Sequence, residues 1–147
     1  MLPEFGNFSL MLAFSFSAIQ AVFCLAGSRY HRPNWLRLGR AAVFGQLIFV
    51  TTSFLLLTHA FIVNDFSVLY VATNSNSALP LGYRISAVWG AHEGSLLLWV
   101  LILALWTGLF TFFSKRLPIL FSSRALGVLG FVSFGFILFT LATSNPF

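Results

Sequence analysis

The sequence predicts an all-α membrane protein: four transmembrane helices with an outer loop of about 25 residues between the second and third. Three observations carry this. The 147 residues are 59% hydrophobic and only 7% charged, with a mean hydropathy of +0.93, whereas a soluble domain is about 25% charged. Four apolar runs, at about 7–27, 41–63, 92–113 and 125–142, are each long enough to cross a bilayer. Seven of the eight Lys and Arg residues fall in the short gaps after the first and third runs.

The first run opens with Glu4 as its only early charge and lacks a basic leading segment. At about 20 residues it is expected to be a retained span rather than a cleaved signal. Cys24 lies inside it and is the sole cysteine, so no intrachain disulfide can form, and it reads as a small buried apolar residue. The gap from Ser28 to Arg40 holds Arg29, Arg32, Arg37 and Arg40, with His31 as solvated surface. The second run carries His59 near its far end, close to Asn64 and Asp65. Capping or interface packing suits that histidine better than axial haem ligation.

The gap from Asn64 to about Ala91 has Arg84 against Asp65. It is the one extended stretch expected to lack a spanning helix. Within it, Phe66-Ser-Val-Leu-Tyr-Val71 is rich in strand formers, which predicts a short strand or an interfacial segment, and Asn74-Ser-Asn-Ser77 with Pro80 reads as turn. The gap from Ser114 to Arg124 holds Lys115, Arg116 and Arg124. Pro33 and Pro118 sit in the two basic gaps, where helices can stop.

Lipid offers no partners to backbone polar groups, so each span should be a continuous helix. The two basic gaps lie on one side of a four-span chain. The positive-inside rule places them in the cytoplasm, with both termini and the long loop outside. Basic residues confined to such gaps leave no face for phosphates of nucleic acid, despite a net charge of +5. Trp35, Tyr83 and Trp89 lie near span ends and fit the aromatic belt. Many of the 19 phenylalanines, Phe14, Phe49 and Phe134 among them, lie inside spans and are expected to pack between helices or face lipid.

The stretch Trp89-Gly-Ala-His-Glu-Gly-Ser-Leu-Leu-Leu-Trp99 carries His92 and Glu93 into the opening of the third span. Ionisable groups entering hydrocarbon are costly and usually face protein, cofactor or water. Gly90 and Gly94 form a small-xxx-small pair that would let another helix approach closely. His92, Ser95 and Trp99 share a face at i, i+3 and i+7, and Glu93 falls in the first turn, where the helix dipole favours a carboxylate. Two readings stand. Either His92 and Glu93 bond loop backbone at the interface, or they line a cavity holding a cofactor. No metal-ligand spacing, Ser/His/Asp arrangement, phosphate loop or carboxylate pair completes an active site.

Five stretches resemble one family in order along the chain. They are Pro3-Glu-Phe-Gly-Asn-Phe8, Ala60-Phe-Ile-Val-Asn-Asp-Phe66, Tyr70-Val-Ala-Thr-Asn-Ser-Asn76, the Trp89–Trp99 motif and Thr143-Ser-Asn-Pro-Phe147. The chain is similar to the N-terminal part of the CcmF/NrfE proteins, the large membrane subunits of the bacterial cytochrome c haem lyase. On that resemblance residues 1–147 form the N-terminal transmembrane module of a CcmF-like protein in the bacterial inner membrane. The role it implies is haem delivery and attachment to apocytochrome c, with haem as the cofactor. A CcmE-like haem chaperone and a CcmH-like thioreductase are the implied partners. The family's tryptophan-rich WWD segment and its haem-ligating histidines lie beyond the matched region. No residue here inherits those roles, and the chain alone is not expected to be catalytic. Trp89, His92, Glu93, Ser95 and Trp99 match a family motif and form a candidate haem-path lining. Ending in mid-pattern, the sequence is expected to be a fragment, a split gene product or a truncated frame, with a companion polypeptide carrying the WWD half. The resemblance does not separate general cytochrome c maturation from the nitrite-reductase branch. Two other readings remain: a transporter or ion-path subunit using His92 and Glu93, and a purely structural membrane module.

Overall fold

A computed structural model describes all 147 residues. Helix α1 spans Leu2–Tyr30 and α2 spans Pro33–Val63. Two short helices follow, α3 at Leu69–Asn74 and α4 at Leu81–Ala87. Helix α5 spans His92–Phe113, a 3₁₀ turn covers Ser114–Arg116, and α6 spans Ile119–Thr143. Each of α1, α2, α5 and α6 is long and apolar enough to cross a membrane. At 1.5 Å per residue α1 and α2 reach roughly 44 and 46 Å, well beyond the roughly 30 Å of hydrocarbon. Their ends therefore project into the headgroup region.

The four long helices form a ring in the order α1, α2, α5, α6, with α6 packed back on α1. One end of the bundle gathers Arg29, Arg32, Arg37, Arg40, Lys115, Arg116 and Arg124; the opposite end has Glu4, Asp65 and Glu93, with Arg84. We call these the basic and acidic ends.

The tight α1–α2 connection depends on His31 at φ 53°, a left-handed position, whose N–H closes on the Gly27 carbonyl. Asn64 does the same for α2 at φ 54°, and asparagine tolerates that region better than most residues. The two prolines start helices instead of stopping them: Pro33 is the first residue of α2 and Pro118 caps α6. A proline at a helix start loses only an N–H that would have no intrahelical partner.

Close packing between spans rests on small residues. Gly39 lies against Cys24, Gly127 against Leu25, and Gly130 against Gln20 and Ala21, so α1 meets α2 and α6 nearly backbone to backbone. Hydrocarbon gives no hydrophobic drive between helices, so such van der Waals contact and interhelical hydrogen bonds hold them together. Gln20 Nε2 donates to the Leu126 carbonyl at 2.7 Å, joining α1 to α6, and Ser53 Oγ donates to the Gly6 carbonyl at 3.2 Å, joining α2 to α1. Buried Thr107, Thr111 and Thr140 instead donate to carbonyls four residues back. Phe14 stacks on Phe134 at 4.5 Å and Phe16 on Phe49 at 5.5 Å.

The Phe66–Val71 stretch forms no strand: its first half is turn and its second half opens α3. Val68 is extended, but α3 begins at Leu69, and Val68 and Val71 are both buried one turn apart. A lone strand here would leave its backbone groups unpaired, whereas a helical turn satisfies its own. The loop caps the acidic end through α3 and its final residues, with Val68, Tyr70, Val71 and Val88 joining the core of Leu57, Phe61, Leu97 and Val100. Arg84 fastens it through bonds to the carbonyls of Leu79 at 2.9 Å, Ser77 at 3.0 Å and Ile62 at 3.2 Å.

Candidate functional site

Ala91 is extended and caps α5, so His92 and Glu93 occupy the first turn. The chain just before it folds back tightly. Gly94 faces the Val88 carbonyl and the Tyr70 hydroxyl, and a methyl group there would overlap the carbonyl. The Tyr70 hydroxyl donates to that same carbonyl at 3.0 Å. Ser95 Oγ donates to the Trp89 carbonyl at 2.7 Å. The small-xxx-small reading is thereby corrected. Gly90 precedes the helix, in a turn against Ala87, and Gly94 admits loop backbone, not a second helix. The close approach was legible; its partner was not.

The motif does not converge on one point. Glu93 is half-buried and lines a cavity of about 320 Å³ with Leu69, Tyr70, Thr73 and Asn145. His92 is exposed on another side of α5, its ring 6.4 Å from Phe139 and edge-on to it. Trp89 and Ser95 knot the loop to the helix. Trp99 stands 63% exposed on the outer surface. His59 is exposed on α2 and His31 is exposed at the basic end. No group of three or more His, Cys, Asp or Glu side chains comes together to hold a metal ion.

Below His92 and Phe139 the outer face of α5 and α6 is an apolar groove. Its upper part is lined by Leu96 and Phe139 and its lower part by Trp99 and Trp106, with Val132 and Phe136 common to both. The lower part alone encloses about 380 Å³. Trp99 and Trp106 lie well inside the span, 63% and 67% exposed, far from the interfacial level where tryptophan usually sits. Trp106 escaped the sequence reading. Its spacing of seven from Trp99, two turns along the same face, was the available signal.

Two ionisable groups in the capping loop are shifted. Hydrogen bonds from the Ser67 hydroxyl and backbone N–H hold the Asp65 carboxyl below its usual value. Burial pushes the Tyr70 phenol above its usual value.

A ring of four spanning helices with a helical cap and a histidine above an apolar groove defines a multi-pass helical membrane protein. No protein-family model matches the chain. Over all 147 residues it is 50% identical to the cytochrome c-type biogenesis protein CcmF of Pseudomonas aeruginosa, covering 22% of that protein. It is 47% identical to CcmF of Escherichia coli, covering 23%, and 39% identical to NrfE of Haemophilus influenzae, covering 23%. The solved structure of a cytochrome c haem lyase CcmF superposes with a TM-score of 0.94 at 33% identity, over 100% of this chain and 25% of that one. The chain belongs to the CcmF/NrfE/CycK family of cytochrome c-type biogenesis proteins and corresponds to their N-terminal part. It spans about a fifth of the length of the relatives it matches.

Proposed function

We propose that this chain is the N-terminal membrane module of a cytochrome c haem lyase, taking part in haem delivery and attachment to apocytochrome c. The observation that carries the reading is the superposition of this whole chain on a quarter of a cytochrome c haem lyase CcmF. Haem is here the cargo, and the residues fit one side of its path. His92, with no protein hydrogen-bond partner, stands at the head of the apolar α5/α6 groove, whose wall includes the aromatic rings of Trp99 and Trp106. Trp89 and Ser95 support that edge by fixing the start of α5, whereas Glu93 faces the separate cavity beneath the cap.

On this reading the basic end faces the cytoplasm of the bacterial inner membrane and both termini face the periplasm. A CcmE-like chaperone would supply haem, a CcmH-like thioreductase and apocytochrome c would meet the outer cap, and the WWD-bearing remainder of the relatives' length would complete the enzyme. Within one organism, Haemophilus influenzae, the chain is 45% identical to CcmF against 39% to NrfE, which favours general cytochrome c maturation. His92 and Glu93 face different surroundings, which disfavours a single proton relay through both.

The test is complementation in a strain lacking its haem lyase membrane subunit, read by haem stain for covalent cytochrome c. The chain alone should leave apocytochrome unmodified. Co-expression with a relative lacking the matching part should restore maturation. Maturation by the chain alone, or none by the pair when both accumulate in the membrane, would overturn the proposal.

A further inference from the structure

Arg40 is half-buried at the basic end, where it ties three elements together. Its Nη1 donates to Ser122 Oγ at 3.2 Å, and its Nη2 donates to the Thr111 carbonyl at 3.2 Å and to Ser114 Oγ at 3.1 Å. A guanidinium has five N–H donors, so two remain without a protein acceptor. No carboxylate can neutralise it, because Glu4, Asp65 and Glu93 are the only acidic residues and all lie at the opposite end. A partly buried charge without a counter-ion is unfavourable.

Two concavities flank this side chain, of about 390 and 310 Å³, and Lys115 lines both with Arg40. The first is walled by Phe44 and Phe112 on the lipid-facing surface, with the Lys115 ammonium 5.3 Å from the Phe112 ring centre. The second reaches Ile119, the first residue of α6. Ser122 N–H is the first in that helix to find a carbonyl, that of Pro118. The preceding N–H groups and the positive end of the helix dipole therefore open toward the same place.

We propose that this is a binding site for the headgroup of an anionic phospholipid. The phosphate would sit between Arg40, Lys115 and the start of α6, and an acyl chain would run along Phe44 and Phe112. The chemistry is a phosphate with an apolar tail. The two free guanidinium N–H groups can each donate one bond to a phosphate oxygen, and basic pockets between membrane helices hold such headgroups.

Native mass spectrometry of the detergent-purified chain, titrated with phosphatidylglycerol and with phosphatidylcholine of the same tails, tests this. Phosphatidylglycerol should form a one-to-one adduct in preference to phosphatidylcholine. Lys115→Gln should weaken it about fivefold. Lys115 is the variant of choice because replacing Arg40 also removes the bonds to Ser114, Ser122 and Thr111. Arg116→Gln, one residue outside both concavities, should leave it unchanged. Equal binding of both lipids, or equal losses from the two variants, would overturn the site. Displacement of the lipid by millimolar inorganic phosphate would overturn the lipid assignment in favour of a free-anion site.

Discussion

The Tyr70 hydroxyl and the Val88 carbonyl meet at 3.0 Å, and Gly94 closes over the same carbonyl. Three segments are pinned at one oxygen: the first capping helix, the end of the loop and the first turn of a spanning helix.

That arrangement makes Gly94 intolerant of any side chain. Gly94→Ala should lower the thermal midpoint in detergent, by about 1–3 kcal/mol in stability, because a methyl group there must displace backbone. Gly90→Ala, whose added Cβ would meet Ala87 backbone at an ordinary 3.5 Å, should be nearly neutral. Equal effects would remove the contact from the explanation.

Tyr70→Phe should cost about 1 kcal/mol by leaving the Val88 carbonyl without its donor. The phenol's value is raised by burial, so its neutral form is favoured in the fold. Its contribution is complete below the unfolded tyrosine value and is lost as pH rises through the folded one. Thermal midpoints of the parent and Tyr70→Phe should therefore converge at strongly alkaline pH. A constant gap would contradict this.

Gln20 and Gln46 are both buried inside the bundle, yet they should respond oppositely. Gln20→Leu removes the α1–α6 bond to Leu126 and should destabilise by about 0.6–2 kcal/mol. Neither amide atom of Gln46 has a protein partner, so Gln46→Leu should leave the midpoint unchanged or raise it. Unfolding in detergent decides between them.

His92→Ala should change protein level little, since the ring makes an edge contact with Phe139 and no hydrogen bond. Within a complete lyase it should lower haem transfer more than it lowers protein. Parallel losses would make His92 structural, and unchanged transfer would remove it from the haem path.

Alkaline phosphatase fused after Phe147 should be active and fused after Arg32 inactive, as expected if the basic end is cytoplasmic. The reverse pattern would invert the topology.

The spans and the start of α5 at His92 were legible because hydropathy and charge act residue by residue. The partners of a close approach were not. Gly94 advertises a missing side chain, but nothing local says whether a helix or the Val88 carbonyl fills the space. The contacts of Gly39, Gly127 and Gly130 depend on how four helices order themselves around a ring, which no single segment encodes. The α3 segment misled because β-branched and aromatic residues suit a strand, and burial of Val68 and Val71 against the core outweighed that preference. Of the candidate site, the motif's place at the start of α5 could be read. Its dispersal into cavity, knot and groove could not, since what each face of α5 meets is set by the packing of the cap and of α6.

The separation of charge between the two ends makes the molecule a rod with an electrical direction. An energised membrane exerts a force on each charge carried across it, about 2.3 kcal/mol per elementary charge per 100 mV. With seven cations at one end and three carboxylates at the other, the voltage that cells maintain would itself help choose which way the bundle inserts. Collapsing that voltage during synthesis should therefore yield a mixed population of orientations.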